Sequence, residues 1–403
     1  MKVAIKLTAL LLAVAMLAGC AQQSGSVVSS NKPTSSQSSS SQQSSENTSS
    51  TEQTSSVTLS QNESSSEQEI QYEKYPGTRD PWLWPFAATS IWNMPIGSEA
   101  KLKPAGFQVG EKLHTDIEHH IKVPAGSPIV EVKAPYEWNQ RWPGTRVIGQ
   151  MQVPADLIIA DATATQMPNA CSAFLMPDGR TIRQLEPTCR LETGDAPIVG
   201  YLHNEDQDLY GDGIKGTHYG SGLSAIGGSI RKGELTSDQP IRHALKLNVW
   251  GRKYLYYDKK TDCGYVWPAD RHDGYAATGE DAYGGSDPDL RMGSLLTIPQ
   301  NVTAESLGIK TEVGKKIFYA VQNYGCYIAD DTIGDNFGWS VENGVCEEVV
   351  REYGFKLDTS NSNSQYFKDM MSLITNLYIV TNNSPTSVGG GGTPCKPLAP
   401  DFK

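Results

Sequence analysis

Residues 172–185 read SAFLMPDGRTIRQL, in which two apolar-rich runs flank Asp178-Gly179. An Asp-Gly pair between such runs is a strong signal for a β-hairpin with a two-residue turn. Residues at equal distances from that turn then face each other, which places Cys171 opposite Glu186. The stretch therefore predicts an antiparallel hairpin and fixes its register.

Runs of the same kind recur along the chain on both sides of this hairpin. They are short, often alternate between apolar and polar residues, and are separated by Pro, Gly or Asp. Such spacing is typical of antiparallel sandwiches and jelly rolls. The predicted strands are residues 129–133, 146–153, 156–161, 172–176, 181–185 and 198–203, and a second hairpin is predicted from 243–250 and 253–258.

The C-terminal third has a helical pattern. An apolar stripe at fourfold spacing between Thr311 and Gly325 predicts a helix, with Thr311 as its N-cap and Gly325 as its stop. The predicted class is therefore α+β: mainly β, with an antiparallel β-sandwich or jelly-roll-like core and flanking C-terminal helices. Further helices are predicted at 345–353 and 367–374, and strands at 326–329 and 377–380.

Residues 75–97 are rich in Trp and Pro. Repeated prolines exclude a regular helix or a central strand. We expect an extended segment whose aromatic side chains pack across the domain. The alternative is that these rings form a platform on which sugars stack.

Composition divides the 403 residues into three parts. Residues 1–19 have a basic start and a short apolar core, typical of a signal peptide, and LAGC at 17–20 looks like a bacterial lipobox with Cys20 as the lipidated residue. Residues 20–70 are Ser-rich and too polar to bury a core, which predicts a disordered tether. Residues 71–403 are expected to form a single β-rich domain, held by lipid on the outer face of the bacterial cell membrane.

The charge and the cysteine content limit which partners and which cellular compartment the sequence is compatible with. The chain has 34 basic and 45 acidic residues, a formal net charge of −11. Nucleic-acid binding depends on basic surfaces, so a nucleic-acid partner is not expected. Six cysteines remain besides Cys20, an even number that permits disulfides in an exported protein, although their pairing stays open. They are Cys171, Cys189, Cys263, Cys326, Cys346 and Cys395.

The densest polar stretch is residues 203–234, whose many glycines allow the backbone to approach a ligand closely. We take this stretch, together with a few outlying polar residues, as the candidate site. The candidate catalytic residues are His218 as base or acid, Glu234, Asp212 and Tyr219. The candidate substrate-binding residues are Arg231, Asp208, His243, Asp330 and Asn169.

Two kinds of glycan cleavage fit these residue types. Hydrolysis needs two carboxyl groups across the scissile bond. Lyase chemistry needs a base such as His218 or Tyr219, and a cation or amide such as Arg231 or Asn169 to neutralise a uronate. Neither pattern is specific, so both remain open.

No cofactor or metal is predicted firmly, and calcium is left as a possibility. Asp206, Asp208 and Asp212 have partial calcium-loop spacing. The twelfth position of that loop is Thr217, where a bidentate Glu is required. These aspartates are therefore weak calcium candidates.

Several strings resemble an uncharacterised family of secreted bacterial proteins. They are DLYGDG at 208–213, GSGLSAIGGSIRKGEL at 220–235, IRHAL at 241–245, YGCYIAD at 324–330 and GGGGTP at 389–394. The resemblance covers most of residues 80–400. It implies an exported, glycan-associated protein whose glycine-rich stretch is the site, with polar members Asp208, Asp212, His218, Arg231 and Glu234.

The sequence thus predicts a surface-anchored lipoprotein that acts on extracellular glycan as a polysaccharide hydrolase or lyase. Its expected partners are the membrane, through the lipid on Cys20, and a polysaccharide. The alternatives are a non-catalytic glycan- or solute-binding lipoprotein and a structural protein of the cell envelope.

Overall fold

The computed structural model describes residues 75–164 and 166–403. The predicted signal peptide, Cys20 and the Ser-rich tether lie outside the described residues. No helix within the described ranges is long and apolar enough to cross a membrane.

Strands dominate the described part of the chain, with helices concentrated towards its C-terminal end. The strands are β1 Leu102–Pro104, β2 Lys112–Lys122, β3 Ile129–Lys133, β4 Val147–Gln152, β5 Ser172–Leu175, β6 Thr181–Cys189, β7 Ile198–Tyr201, β8 Gln207–Asp208, β9 Leu245–Val249, β10 Leu295–Thr297, β11 Cys326–Asp331, β12 Asn336–Glu342 and β13 Tyr378–Val380. The helices are α1 Gly251–Tyr254, α2 Glu312–Tyr324, α3 Val345–Tyr353 and α4 Gln365–Thr375, followed by a 3₁₀ turn at Val388–Gly390.

These strands form one mixed sheet rather than two antiparallel layers. Its order is β1-β13-β10-β11-β9-β12-β2-β5-β6-β7-β3-β4, with β8 paired to β6. The pairs β9–β11, β2–β12, β2–β5 and β3–β7 are parallel. The prediction of an antiparallel sandwich or jelly-roll core was therefore wrong, and the fold is mixed α/β.

Long-range pairing explains that error. β2 and β12 are joined over seven residue pairs, from Lys112 opposite Asn336 to Glu118 opposite Glu342. More than 200 residues separate the two strands in sequence. Local alternation identifies hairpins, but it carries no information on which distant strand becomes a parallel neighbour.

The hairpin of residues 172–185 forms in the predicted register. Ser172 lies opposite Leu185 and Leu175 opposite Ile182. The turn is tied by Asp178, whose carboxylate accepts hydrogen bonds from the backbone N–H of Arg180 and Thr181. The Asp-Gly signal and the alternating pattern agreed, so this prediction is confirmed.

The second predicted hairpin, at residues 243–258, was wrong. β9 ends at Val249, and the chain then turns into α1. The N–H of Gly251 donates to Asp331 Oδ1 at 2.6 Å, which fixes that turn against the end of β11. Residues 156–161 likewise form no strand and contribute only a bridge between Ile159 and Arg190.

The predicted C-terminal helices are present. Thr311 caps α2 by accepting a hydrogen bond from the Gly314 N–H at 3.0 Å. Gly325, with φ of 82°, ends the helix, as its position predicted. α3 has the predicted bounds, and α4 begins two residues before the predicted start, behind the cap Ser364.

The Trp- and Pro-rich entry segment is a packing element, as expected. Trp82, Phe86 and Trp92 are buried in one cluster. The Trp92 indole meets Tyr327 edge to face, with ring centroids 5.5 Å apart, and its N–H donates to the Gly213 carbonyl at 2.7 Å. The entry segment therefore holds the glycine-rich stretch against the sheet.

That contact explains why two consecutive glycines occur in the stretch. A Cβ on Gly227 or Gly228 would lie within 2.4 Å of the Trp92 ring. Only glycine permits this approach of backbone to ring. The glycine-rich stretch is consequently buried for much of its length rather than displayed as a surface loop.

The six cysteines of the described residues are free thiols. Their pairing was left open by the sequence, and no pair among them is joined in the structure.

Candidate functional site

A cleft of about 360 Å³ opens where β9 and β11 end. These two strands are parallel, so their carboxyl ends meet at the same edge of the sheet, which is where α/β proteins commonly bind ligands. Its walls combine carboxyl groups with large aromatic rings. The lining residues are Trp138, Asn169, Glu186, Tyr219, Trp250, Asp273, Tyr275, Asp281, Asp330, Asp331, Thr332 and Ile333.

Two of the carboxyl groups stand close together across a gap. A methyl group added to Gly220 would lie 2.6 Å from Asp330 Oδ1 and 3.2 Å from both carboxyl oxygens of Asp273. Asp330 Oδ1 and the Asp273 carboxyl are therefore less than about 6 Å apart. Any side chain larger than hydrogen at Gly220 would fill the space between them.

Asp330 Oδ1 accepts the backbone N–H of Asp331 at 2.9 Å, and Asp330 is held by two further groups. Asn169 Nδ2 donates to its Oδ2 at 2.8 Å, and His218 Nδ1 lies 3.8 Å from the same oxygen. Both contacts stabilise negative charge on the carboxylate. These contacts, together with its position at the end of a buried strand, hold the Asp330 carboxyl group in a fixed place.

Asp273 is in a different environment. Burial, followed by the charge of Asp330, raises the pKa of Asp273 to about 7. The Tyr283 hydroxyl donates to Asp273 Oδ2 at 2.5 Å, which leaves Oδ1 to carry a proton. At neutral pH this carboxyl therefore exchanges a proton readily.

A third carboxyl group, Glu186, is fully buried at the cleft wall. Its Oε2 accepts the Tyr219 N–H at 2.6 Å, and its Oε1 has no hydrogen-bond partner. Burial raises the pKa of Glu186 well above its usual range. Burial also raises the pKa of Asp331 to about 6, beside the Tyr275 hydroxyl that donates to it at 3.0 Å.

Beneath the cleft runs a buried chain of ionic contacts from β9 to β11. Lys246 Nζ lies 2.5 Å from Glu118 Oε1, and His218 Nε2 lies 2.6 Å from the same oxygen. Ser229 donates its hydroxyl to Glu118 Oε2. His218 then faces Asp330 through its other ring nitrogen, so the chain ends at the carboxylate of the cleft.

The charges along this chain favour a protonated histidine. Burial and the Lys246 ammonium oppose protonation of His218, but the nearby carboxylates of Asp330 and Glu118 raise its pKa to about 10. Burial likewise opposes ionisation of Glu118, yet Lys246, His120 and His218 lower its pKa to about 2. His218 is therefore a buried imidazolium that fixes and charge-balances Asp330.

Two groups of side chains within the described residues are spaced closely enough to share a metal ion. One is Asp116, His218 and Asp330, and the other is Glu118, Cys171 and His218. Lys246 Nζ already lies 3.1 Å from His218 Nε2, and the raised pKa of His218 adds a second positive charge. A metal ion would have to displace that proton.

The residues proposed from the sequence fall into two sets. Asp330, Asn169 and Tyr219 line the cleft, and His218 lies directly beneath it. His218 is completely buried, so it does not reach a substrate in the cleft. Its predicted role as base or acid towards substrate therefore does not fit its position.

The other candidates lie elsewhere and are occupied by structural contacts. Arg231 is buried and donates to Glu342 Oε2 at 2.9 Å and to the Trp82 carbonyl at 2.6 Å. Glu234 pairs with His243 at 3.0 Å, away from the cleft. These three predicted site residues connect the glycine-rich stretch to its neighbours.

The weak calcium candidates do not converge on a shared site. Asp206 forms an ion pair with Arg183 at 2.6 Å, and Asp208 pairs with Arg180 at 2.6 Å. Asp212 is exposed and accepts the Ile214 N–H at 3.0 Å in a local turn. Their carboxylates are directed at separate partners rather than at one ion.

The sequence analysis missed several residues of the site, although for some of them the sequence contained a clue. Lys246 stands inside the apolar run LKLNV of β9, where an uncompensated charge is costly. Glu186 was already placed opposite Cys171 by the hairpin register. Asp273 lies in an irregular segment, and nothing local distinguishes it from the other aspartates of the chain.

Comparison with protein-family models, with curated proteins and with solved structures gives no match for this chain. The geometry of the cleft and the charges around it therefore carry the functional argument.

Proposed function

We propose that this protein hydrolyses a polysaccharide in the cleft, with Asp330 and Asp273 as the catalytic carboxyl groups. One observation carries the proposal: two carboxyl groups less than about 6 Å apart line a cleft with aromatic walls. Glycosidases work with such a pair, one carboxyl ionised and one protonated.

The two environments suit the two roles. Asp330, held by Asn169 and facing the His218 imidazolium, is the nucleophile, and its carboxylate oxygen bonds to the anomeric carbon as the glycosidic bond breaks. Asp273 gives its proton to the departing sugar oxygen. In the second half, Asp273 takes a proton from water, the water oxygen bonds to the anomeric carbon, and the ester to Asp330 breaks.

The spacing also points to the stereochemical outcome. Retaining enzymes keep their carboxyl groups roughly 5–5.5 Å apart, whereas inverting enzymes need roughly 6.5–9.5 Å to admit a water molecule. A separation of less than about 6 Å between Asp330 and Asp273 favours retention of the anomeric configuration.

Hydrolysis is favoured over a lyase reaction. A lyase needs a cation or an amide to neutralise a uronate, and the Asn169 amide at the cleft wall already donates to Asp330 Oδ2. No Lys, Arg or His is among the described residues that line the cleft, while five of them are Asp or Glu. We therefore propose a neutral rather than an acidic glycan as substrate.

Binding without cleavage is the second candidate. Trp138 and Tyr219 are 41% and 46% exposed, and their ring centroids lie 6.0 Å apart. Exposed rings of this kind stack on sugars in binding modules as well as in enzymes.

We also propose, from residues 1–20, that the protein is exported and anchored by lipid at the outer face of the cell membrane.

The test is to incubate the full chain with soluble neutral polysaccharides (β-glucan, α-glucan, xylan and mannan) and to measure new reducing ends. Asp330→Asn and Asp273→Asn should each lower the rate by about 1,000-fold or more, because each removes one of the two reacting carboxyl groups. Asp238→Asn, at an exposed position away from the cleft, is the matched control. Equal product release by wild type and by both variants, or no product from any polymer, would refute hydrolysis at this site.

A further inference from the structure

We propose that the glycan-binding surface continues beyond the cleft, along a strip of four aromatic rings, into a second hollow that holds further sugar units of the same chain. The strip comprises Trp138, Tyr219, His203 and Tyr201. The inference rests on the proposed function for the nature of the ligand, a neutral polysaccharide, and extends it to the length of chain that the protein recognises.

The four rings form an unbroken series. Ring centroids are 6.0 Å apart for Trp138 and Tyr219, 5.3 Å for Tyr219 and His203, and 5.7 Å for His203 and Tyr201. Trp138 and Tyr219 are exposed, and His203 and Tyr201 are half-buried, so the series lies at the surface rather than in the core. Neighbouring rings are tilted by 49–59° to each other, so the series offers several successive stacking positions rather than one flat face.

The strip is held rigidly by β6. Glu186, in β6, pairs with Tyr201 of β7. The backbone carbonyl of Glu186 is 3.2 Å from His203 Nε2, and its carboxyl accepts the Tyr219 N–H. The backbones of Tyr201 and Tyr219 and the ring of His203 are therefore held by one residue that also lines the cleft, which limits the conformational freedom lost when a ligand binds.

The second hollow begins at His203. It has a volume of about 510 Å³ and is lined mainly by polar side chains, which suit sugar hydroxyl groups. The lining residues are Leu202, His203, Asn204, Glu205, Gln207 and Lys215. Tyr219 lines the cleft and His203 lines the hollow, and their ring centroids lie 5.3 Å apart, so the two spaces are neighbours.

His203 is suited to stacking at neutral pH. Burial, followed by the charge of Arg271, lowers its pKa to about 4. The imidazole is therefore neutral and presents an apolar face, as the neighbouring tyrosines do. A chain that leaves the cleft consequently meets aromatic surface and then hydrogen-bonding groups, without a charged barrier on the strip.

The test measures binding as a function of chain length. Asp330→Asn of the full chain, which prevents cleavage, is titrated calorimetrically with cello-, malto-, xylo- and manno-oligosaccharides of two to eight units. For the sugar that binds, affinity should rise by roughly tenfold or more between the shortest and longest oligomers. Adding Tyr201→Ala or Gln207→Ala should remove most of this gain and leave the affinity for the shortest oligomer nearly unchanged. Tyr319→Ala, at an exposed ring on α2, is the matched control.

The outcomes separate this inference from the proposed function. The proposal that the strip binds sugar would be refuted by any of three results. These are equal affinity for short and long oligomers, no binding of any oligomer, and a length dependence that persists after both added substitutions. Cleavage by wild type without length dependence would leave hydrolysis standing and remove the strip. Length-dependent binding that requires Tyr201, without cleavage by wild type, would support sugar binding along the strip and refute the proposed hydrolysis.

Discussion

At the scale of single residues, surroundings separate the acidic side chains into different roles. Asp206 and Asp208 are exposed or half-buried, and each is paired with an arginine at the surface. Asp330 and Asp273 are buried close to each other at the cleft. The same carboxyl group is therefore a surface ion-pair partner in one place and a candidate reacting group in another.

The proton on Asp273 predicts the alkaline limb of the pH profile. The acid form is required, and its pKa is about 7, so activity should be full below that value. Above it, kcat/KM should fall about tenfold for each pH unit, because the rate follows the protonated fraction. The measurement is hydrolysis of the polymer identified by the panel, from pH 5 to 9. A rate that is flat or rising between pH 7 and 9 would remove Asp273 from the acid role.

At the scale of elements, hairpins and capped helices follow from local sequence, and parallel pairs do not. The hairpin β5–β6 and the helix α2 each carried two agreeing signals, an alternation or stripe and a turn or cap. The sequence of β9 gives a conflicting signal, because the charged Lys246 lies among buried apolar residues. Its partners are β11 and β12, and the lysine is tolerated because Glu118 of β2 lies across β12 from it.

Removing the charge of Lys246 should destabilise the sheet. Lys246→Met leaves the Glu118 carboxylate buried with one cation fewer, which costs about 3–5 kcal/mol of unfolding free energy. Adding Glu118→Gln to Lys246→Met should recover part of that loss, because no uncompensated anion then remains. Urea unfolding of both variants measures the difference. A loss below about 1 kcal/mol in Lys246→Met would show that the pair contributes little.

At the scale of the whole molecule, the site gathers residues from distant parts of the chain. Asn169, Glu186, Tyr219, Asp273 and Asp330 meet in one cleft although they span about 160 positions. Parallel pairing of β9 with β11 brings the strand ends together, and Gly220 of the buried glycine-rich stretch lies beside both Asp330 and Asp273. The glycine-rich stretch, residues 203–234, thus contributes closely packed backbone and the buried His218 to the site. It contributes neither of the two proposed reacting carboxyl groups.

The buried imidazolium predicts how global stability depends on pH. The pKa of His218 rises from an ordinary 6.5 to about 10 on folding. A raised histidine pKa contributes stability that is complete below pH 6.5 and is lost as the pH rises through about 10. The charged and titratable groups facing His218 are Glu118, Asp116, Asp330, Glu186, Cys171 and Lys246.

Thermal unfolding across this pH range tests the prediction. Tm of the full chain should fall steadily between pH 6.5 and 10. His218→Gln should have a lower Tm at pH 6.5 and a flatter dependence above it, because the titrating group is gone. A variant whose Tm falls as steeply as that of wild type would show that other groups cause the loss.

The sequence by itself determined the features that are encoded within a few residues. These are the Asp-Gly hairpin and its register, the capped helices α2 and α3, and the aromatic packing of the entry segment. Only the tertiary structure decided the mixed sheet, the cleft and the surroundings of its acidic side chains. The physical reason is that parallel pairing, burial and the resulting shifts in pKa depend on neighbours that are remote in sequence. Asp273 and Asp208 look alike in the sequence, and only their neighbours in space raise the pKa of Asp273 and pair Asp208 with an arginine.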